Sequence, residues 1–420
     1  DQARASGWVY AADVVELQCP FMAIEDLAGI EVFAEVSPQA LVHINLTGNR
    51  ISELQPLAAL NALQVAELVN NRISDLAPLS ALVNLRSLAI NGDALADLSP
   101  LSGLVTLSSL SLAGDALDNL DVLGELTGLR VLQLYGDNIR NIDALADLTG
   151  MTELTLVCFA LDDLEPLAGM RQLEKLVLRT PGVREISSLA GLTALQELDI
   201  DWDVSPEAPS RYARDLSFLM SMTELRVLRI KGDSIGTLAP LAGLSELRDL
   251  DLENNEIADI SPLAGLAALT QLNLTFNNIV DIEPVAGLAK LEVLNVRFNQ
   301  VRRVPLLEGL PALQHLDLEF NNIEEVDDLG GAASLERLWL GYNQIRAISA
   351  TAFTRMPALS YLGINDNLIT SLESLETLDK LLHLQLGTNG IADLTPLASL
   401  SSLNWLLLYN NQVADLSPLA

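Results

Sequence analysis

From Leu41 onward, apolar residues recur in two alternating patterns. Over L-x-x-L-x-L they fall two and three residues apart; a short polar stretch then leads into a second apolar arm, I-x-D-L-x-P-L-A-x-L. The segment LTFNNIVDIEPVAGLAKLEVLNV, beginning at Leu274, shows the whole phrase. Period-two alternation marks a strand with one buried face. It directs Leu269, Leu272 and Leu274 inward and Gln271, Asn273 and Thr275 outward. Asn277 follows at the turn. An amide side chain both donates and accepts, so a buried one can satisfy backbone groups that the turn leaves unpaired. The return arm directs Ile279, Ile282, Val285 and Leu288 inward, and Pro284 forbids a regular helix through that point. Proline fills the same slot at Pro56, Pro78, Pro100, Pro166, Pro240, Pro262, Pro396 and Pro418. The arm is therefore expected to be a short 3₁₀ or extended segment.

The phrase returns in seventeen registers, with the Asn slot at Asn49, Asn71, Asp93, Asp115, Asp137, Phe159, Pro181, Asp203, Asp233, Asn255, Asn277, Asn299, Asn321, Asn343, Asn367, Asn389 and Asn411. Fourteen spacings are 22 residues, one is 24 and one, from Asp203 to Asp233, is 30. Units repeated this way bury a core only by stacking, so 420 residues are read as one array. These residues resemble the leucine-rich-repeat family, and within it the 22-residue internalin-type bacterial subfamily. The resemblance covers roughly residues 41–420. It implies an α/β repeat solenoid: a right-handed superhelix with a concave parallel sheet, 3₁₀ or extended convex arms, and ligand binding through the concave face. Segment 16–31 resembles a degenerate first repeat, with Cys19 in an inward slot and Met22 in the Asn slot. Residues 1–40 are then a cap remnant plus that repeat, and 41–420 the solenoid. The chain stops in mid-repeat (QVADLSPLA) without a polar cap, so the natural protein is expected to continue past Ala420 and to be monomeric once capped.

Three departures stand out. The repeat containing ISATAFTRMPALSYL has 24 residues and resembles a longer type with Phe353 on the convex arm. From Asp93 to Asp233 no slot carries Asn. An aspartate cannot donate, so the side-chain ladder must be rearranged there, and the middle of the array is expected to be less regular. The long spacing inserts residues 204–212, with Arg211 and Tyr212, and insertions in solenoids become loops, often on the binding face.

Charge narrows the class of partner. With 24 basic and 56 acidic residues the formal charge is −32, which disfavours nucleic acid. No apolar run approaches the length of a spanning helix, and no apolar leader follows Asp1. Cys19 and Cys158 lie about six strands apart, nearly ~30 Å, too far for a disulfide and too few for zinc. Chemistry is sparse. His43, His315 and His383 share one outward strand position in distant repeats and are read as surface residues. No catalytic motif is recognised and no cofactor or metal is expected. Asp199, Asp201 and Asp203 read D-x-D-x-D, but Val204 and Ser210 replace the glycine and glutamate of a calcium loop. The sequons at Asn45 and Asn273 lie on strands and are read as accidental.

Two surfaces remain as candidates. Ten basic residues fall between Arg171 and Arg248, around the insertion. On successive strands Asp199/Asp201, Arg229/Lys231 and Asp251/Glu253 are expected to stand side by side and pair with one another. The second candidate is aromatic. Phe276, Phe298, Phe320 and Tyr342 precede the Asn slot in four consecutive repeats, and Trp339, Tyr361, Trp405 and Tyr409 occupy outward strand positions nearby. The sequence thus points to a non-enzymatic module that holds a protein or glycan on its concave face, bacterial and at the cell surface or secreted. The alternative is a cytoplasmic scaffold that docks and regulates an enzyme such as a phosphatase.

Overall fold

A computed structural model describes residues 14–36, 41–92, 94–202, 215–232 and 234–420. They fall into two compact units, 1–208 and 209–420. The first carries nine parallel strands: β1 (Glu16–Gln18), β2 (His43–Asn45), β3 (Val65–Glu67), β4 (Ser87–Asn91), β5 (Ser109–Ala113), β6 (Val131–Tyr135), β7 (Glu153–Val157), β8 (Lys175–Arg179) and β9 (Glu197–Asp201). The second carries β10 (Val227–Lys231), β11 (Asp249–Asp251), β12 (Gln271–Asn273), β13 (Val293–Asn295), β14 (His315–Asp317), β16 (Arg337–Trp339), β18 (Tyr361–Gly363), β19 (His383–Gln385) and β20 (Trp405–Leu407). The short β15 (Glu325–Val326) and β17 (Ala347–Ile348) pair separately on the return arms. Among the described residues one α-helix, α1 (Val32–Val36), follows β1.

Register follows the repeat length. In the second unit Leu250, Leu272, Leu294, Leu316, Leu338 and Leu362 stand opposite one another in a single column. The 24-residue repeat keeps this register because its extra residues are taken up on the arm, where Phe353 is buried as expected. The arms form short 3₁₀ segments such as Ser261–Gly265 and Glu283–Val285, with proline at the start. Such segments also form without proline, at Asp121–Glu125 and Ser187–Gly191. Ile279, Ile282, Val285 and Leu288 all close onto the core.

Part of the acidic excess is structural. Two residues into many arms an aspartate oxygen accepts the first free N–H of the 3₁₀ turn: Asp75 from Ala77, Asp259 from Ser261, Asp393 from Thr395 and Asp415 from Ser417, each at 2.8 Å. The backbone N–H and then the hydroxyl of Ser261 hold the Asp259 carboxyl below its ordinary range, and Ser417 does the same for Asp415. A carboxylate with a depressed folded pKa adds stability above its unfolded pKa, and that stability is lost as pH falls through the folded value. Asp259→Asn is therefore expected to melt below the parent at neutral pH, with the gap closing as pH falls through and below the ordinary carboxylate range. A gap that does not change with pH contradicts this role.

The two units solve the turn differently. From Asn255 to Asn411 the slot amide faces inward. Asn277 Nδ2 donates to Leu252 O (2.9 Å) and Leu274 O (3.0 Å), and its Oδ1 accepts from Ile257 N–H (3.0 Å). Asn299, Asn321 and Asn343 repeat the set one unit further on. The residue before the slot takes a left-handed backbone, φ 53–59° from Asn254 to Asn410, which turns the amide into the core. Asn49 and Asn71 make equivalent bonds at the start of the first unit.

The expectation of an irregular middle is corrected. Strands β4 to β9 run five residues, whereas β11 to β14 run three. The backbone bond before the slot is the same in both, Gly92, Gly114 and Gly136 N–H donating to Ala113, Tyr135 and Val157 O at 2.9–3.0 Å as Phe276 N–H donates to Arg297 O at 3.0 Å, but these glycines do not take the left-handed turn. Asp115 and Asp137 then point to solvent. Glycine suits this place because a Cβ at Gly114 would lie 2.6 Å from Gly92 O. Asp93, Asp203 and Asp233 lie outside the described residues.

Cys158 takes the same place one repeat later and is buried, with its thiol pushed up to about 12 by burial. Cys19 is partly exposed, and the two cysteines are not joined in a disulfide. Alkylation at neutral pH is expected to leave Cys158 unmodified until denaturant is added, because the thiolate is the reactive form. Mass spectrometry of labelled peptides checks this; labelling of Cys158 in the folded chain contradicts it.

Candidate functional site

The outward face of each sheet is built from three positions per repeat, brought into columns by the parallel register. In the first unit charge dominates its later strands. Lys175 pairs with Glu197 at 3.0 Å, and Arg179 reaches Asp199 at 3.0 Å and Asp201 at 3.9 Å. In the second unit Arg229 stands opposite Asp251, as expected, and bonds Asp249. Lys231 takes both Asp251 (2.7 Å) and Glu253 (2.9 Å). Asp199 and Asp201 thus face a guanidinium. Arg211, Tyr212 and the insertion at 204–212 lie outside the described residues.

The aromatic candidates come together in two rows of the second unit. Phe276, Phe298, Phe320 and Tyr342 form a continuous stack, with centroids 4.2, 4.2 and 4.0 Å apart and planes within 17°. Each occupies the left-handed position before its slot, so the rings leave the sheet in the same direction and repeat at the strand spacing. The Arg297 guanidinium lies 5.0 Å from the Phe298 centroid and 4.9 Å from that of Phe320. Phe276 and Tyr342, at its ends, are 47% and 43% exposed.

The second row runs along the strand face. Trp339 meets His315 edge-on at 6.2 Å and Tyr361 at 5.2 Å; Tyr361 meets His383 at 6.1 Å, and His383 meets Trp405 at 5.8 Å. Two of the three histidines read as bland surface residues therefore belong to the row. The signal was present in their shared register with Tyr361 and Trp405. His43, in the first unit, instead sits between Glu16 (3.1 Å) and Glu67 (3.2 Å). Trp339 and Tyr361 are half-buried against their neighbours, while Trp405 and Tyr409, on the last strand, are 40% and 49% exposed. Tyr409 lies flat over Gly387.

Between the rows sits an acidic ledge that residue-by-residue reading did not find. Asp317 ends β14 and Glu319 follows two residues on, and burial pushes both carboxyls above their ordinary range. Glu319 is 8% exposed and binds Arg297 at 2.6 Å. No group of three or more His, Cys, Asp and Glu among the described residues could hold a metal ion, and no helix among them is long and apolar enough to cross a membrane.

This architecture is the leucine-rich-repeat fold. A family of leucine-rich repeats matches residues 267–323 and 333–391, and a second, of paired leucine-rich repeats, matches 245–287. Among solved structures, a leucine-rich-repeat protein of Leptospira interrogans superposes with a TM-score of 0.75 at 19% identity, over 93% of this chain and 94% of that one. The functional domain of InlJ from Listeria monocytogenes gives 0.57 at 20% identity, over 94% and 72%. A plant peptide hormone receptor, RGFR1 in complex with RGF2, gives 0.57 at 16% identity, over 94% and 77%. No curated protein matches the sequence.

Proposed function

We propose that this chain is a non-enzymatic binding module of internalin type, bacterial and exported or surface-exposed, that holds a protein ligand on the strand face of its second unit. The observation that carries the reading is the pair of aromatic rows flanking the acidic ledge. Large amphipathic rings on a rigid sheet offer contact area at low entropic cost, and Trp and Tyr dominate binding hot spots. The stacked row alone would serve as structure; within the array the rings of Phe276 and Tyr342, at its ends, stay exposed and add surface that packing does not use. The basic cluster ranks second because Lys175, Arg179, Arg229 and Lys231 are neutralised by neighbouring strands. A glycan would use the same rings, through stacking on its apolar faces.

The test uses the partner recovered with this chain as bait and two variants of the bait. Trp339→Ala combined with Tyr409→Ala is expected to weaken binding by about thirtyfold or more, the scale of at least one hot-spot loss. Deletion of 205–212 is expected to leave it unchanged. The opposite pattern moves the contact to the insertion.

A further inference from the structure

Gly363 stands in the strand face without a backbone reason for glycine. It is an outward position of β18, next to the inward Leu362. Its φ lies outside the left-handed region, so the chain path there makes no demand for glycine. A glycine inside a strand weakens it and brings no side chain to pack. The parallel register sets Gly363 between Trp339 and Gln385. Preceding strands fill the same column with Asn273, Asn295 and Asp317.

The missing side chain makes room for two rings. A Cβ on Gly363 would lie 3.5 Å from Trp339 Cδ1, 3.5 Å from Tyr361 Cε1 and 3.7 Å from Gln385 Oε1, and no backbone atom of another strand comes closer. Side chains from three neighbouring strands therefore converge over one glycine and bury it, although it points outward. The rings meet there with centroids 5.2 Å apart and planes at 45°. Adjacent strands are only ~4.8 Å apart, so an indole can lean across its neighbour only where that neighbour is small. A second outward glycine, Gly387, lies beneath the Tyr409 ring, 2.3 Å from where its Cβ would be.

We propose that Gly363 is the positioning residue of the aromatic row: its missing side chain lets Trp339 and Tyr361 close over the strand, and the partner recognises the surface that the closed pair makes. The inference rests on the strand face being the partner-binding face. It predicts a dependence on size. A methyl group at 3.5 Å makes ordinary van der Waals contact, so alanine fits beneath the rings. Valine adds two carbons that fill two of the three staggered directions around Cβ. They enter the space that Trp339, Tyr361 and Gln385 hold, and at least one ring must lift from the strand. Valine also favours strands where glycine disfavours them, so the substitution acts on the rings and not through a weakened strand.

The ¹⁵N indole resonance of Trp339, assigned with Trp339→Phe, reads ring position without a partner, because the neighbouring Tyr361 ring current acts on it. Gly363→Val is expected to move that resonance, and Gly363→Ala to move it far less. Partner binding in Gly363→Val is expected to fall about tenfold, less than a full hot-spot loss because the rings shift and do not disappear. Thermal melting checks that the variant is folded. If it melts below the parent, Gly363→Asn takes its place, since this column already carries asparagine at Asn273 and Asn295. A resonance unmoved by the larger side chain, or moved as far by alanine, overturns the assignment. The face itself is judged separately. Binding lost in Trp339→Ala but kept in Gly363→Val leaves the face and removes the role of Gly363, while binding kept in both removes the face.

Discussion

Leu274→Ala is expected to destabilise the second unit by ~2–5 kcal/mol, from lost transfer free energy and the cavity left behind. The side chain is fully buried between Leu252 and Val296 of the adjacent repeats, in a column that has no other filling. Its backbone is also a junction. Leu274 N–H donates to Asn295 O at 2.8 Å, and its carbonyl accepts from both Asn277 and Asn299. Relaxation to fill the cavity would have to move those bonds, so the site cannot collapse freely and the cost belongs in the upper part of the range. Because stacked repeats communicate only with their neighbours, the lesion is expected to divide the unfolding transition rather than shift it as a whole. Chemical denaturation monitored by circular dichroism reads both effects. Val280→Ala, on the exposed side of the same repeat, serves as the control and is expected to stay within ~0.5 kcal/mol. Equal midpoints for the two variants would falsify the inward register.

The second large effect is expected at the slot. Asn299→Ala strands the Ile279 N–H, for which Asn299 Oδ1 is the acceptor at 2.9 Å, and removes donors to Leu274 O and Val296 O. Both carbonyls keep one amide from a neighbouring repeat, so the orphaned N–H dominates and the cost is expected at ~1–3 kcal/mol. Asn299→Asp is expected to cost more, since a carboxylate keeps the acceptor but cannot donate and brings a charge into the core. The first unit supplies the contrast. Asp137 fills the equivalent slot yet faces solvent, so Asp137→Ala is expected to stay within ~0.5 kcal/mol. A loss at Asp137 as large as that at Asn299 would show that both units use one turn.

Much of the architecture was legible. The alternation through Leu269, Leu272 and Leu274 placed those residues inward because a strand presents its side chains to two faces in turn. Pro284 foretold a 3₁₀ arm because it denies the backbone a helical hydrogen bond. The Asn slot foretold its ladder because an amide is the one small side chain that both donates and accepts at a turn. The candidate site was legible only as a roster. Trp339, Tyr361, Trp405 and Tyr409 were placed on the outward face, but His315 and His383 were passed over because each was considered alone. Asp317 and Glu319 gave no sign, being ordinary polar residues at ordinary outward positions.

The sequence by itself determined the repeat length, the inward set and the parallel register, since these follow from periodicity and a buried face tolerates no slip. Tertiary structure decided the rest. Whether a slot residue turns in or out depends on the backbone before it: left-handed at Phe276, Phe298 and Phe320, but not at Gly114 and Gly136, which follow the ends of β5 and β6. Which outward side chains meet depends on how each leans across strands that sequence separates by 22 or 24 residues. Arg229 reaches Asp249 as well as standing opposite Asp251, and Lys231 bridges Asp251 and Glu253. Periodicity specifies faces because burial is a property of position; contacts on the open face follow side-chain length, charge and the gaps left by glycine, which no repeat pattern encodes.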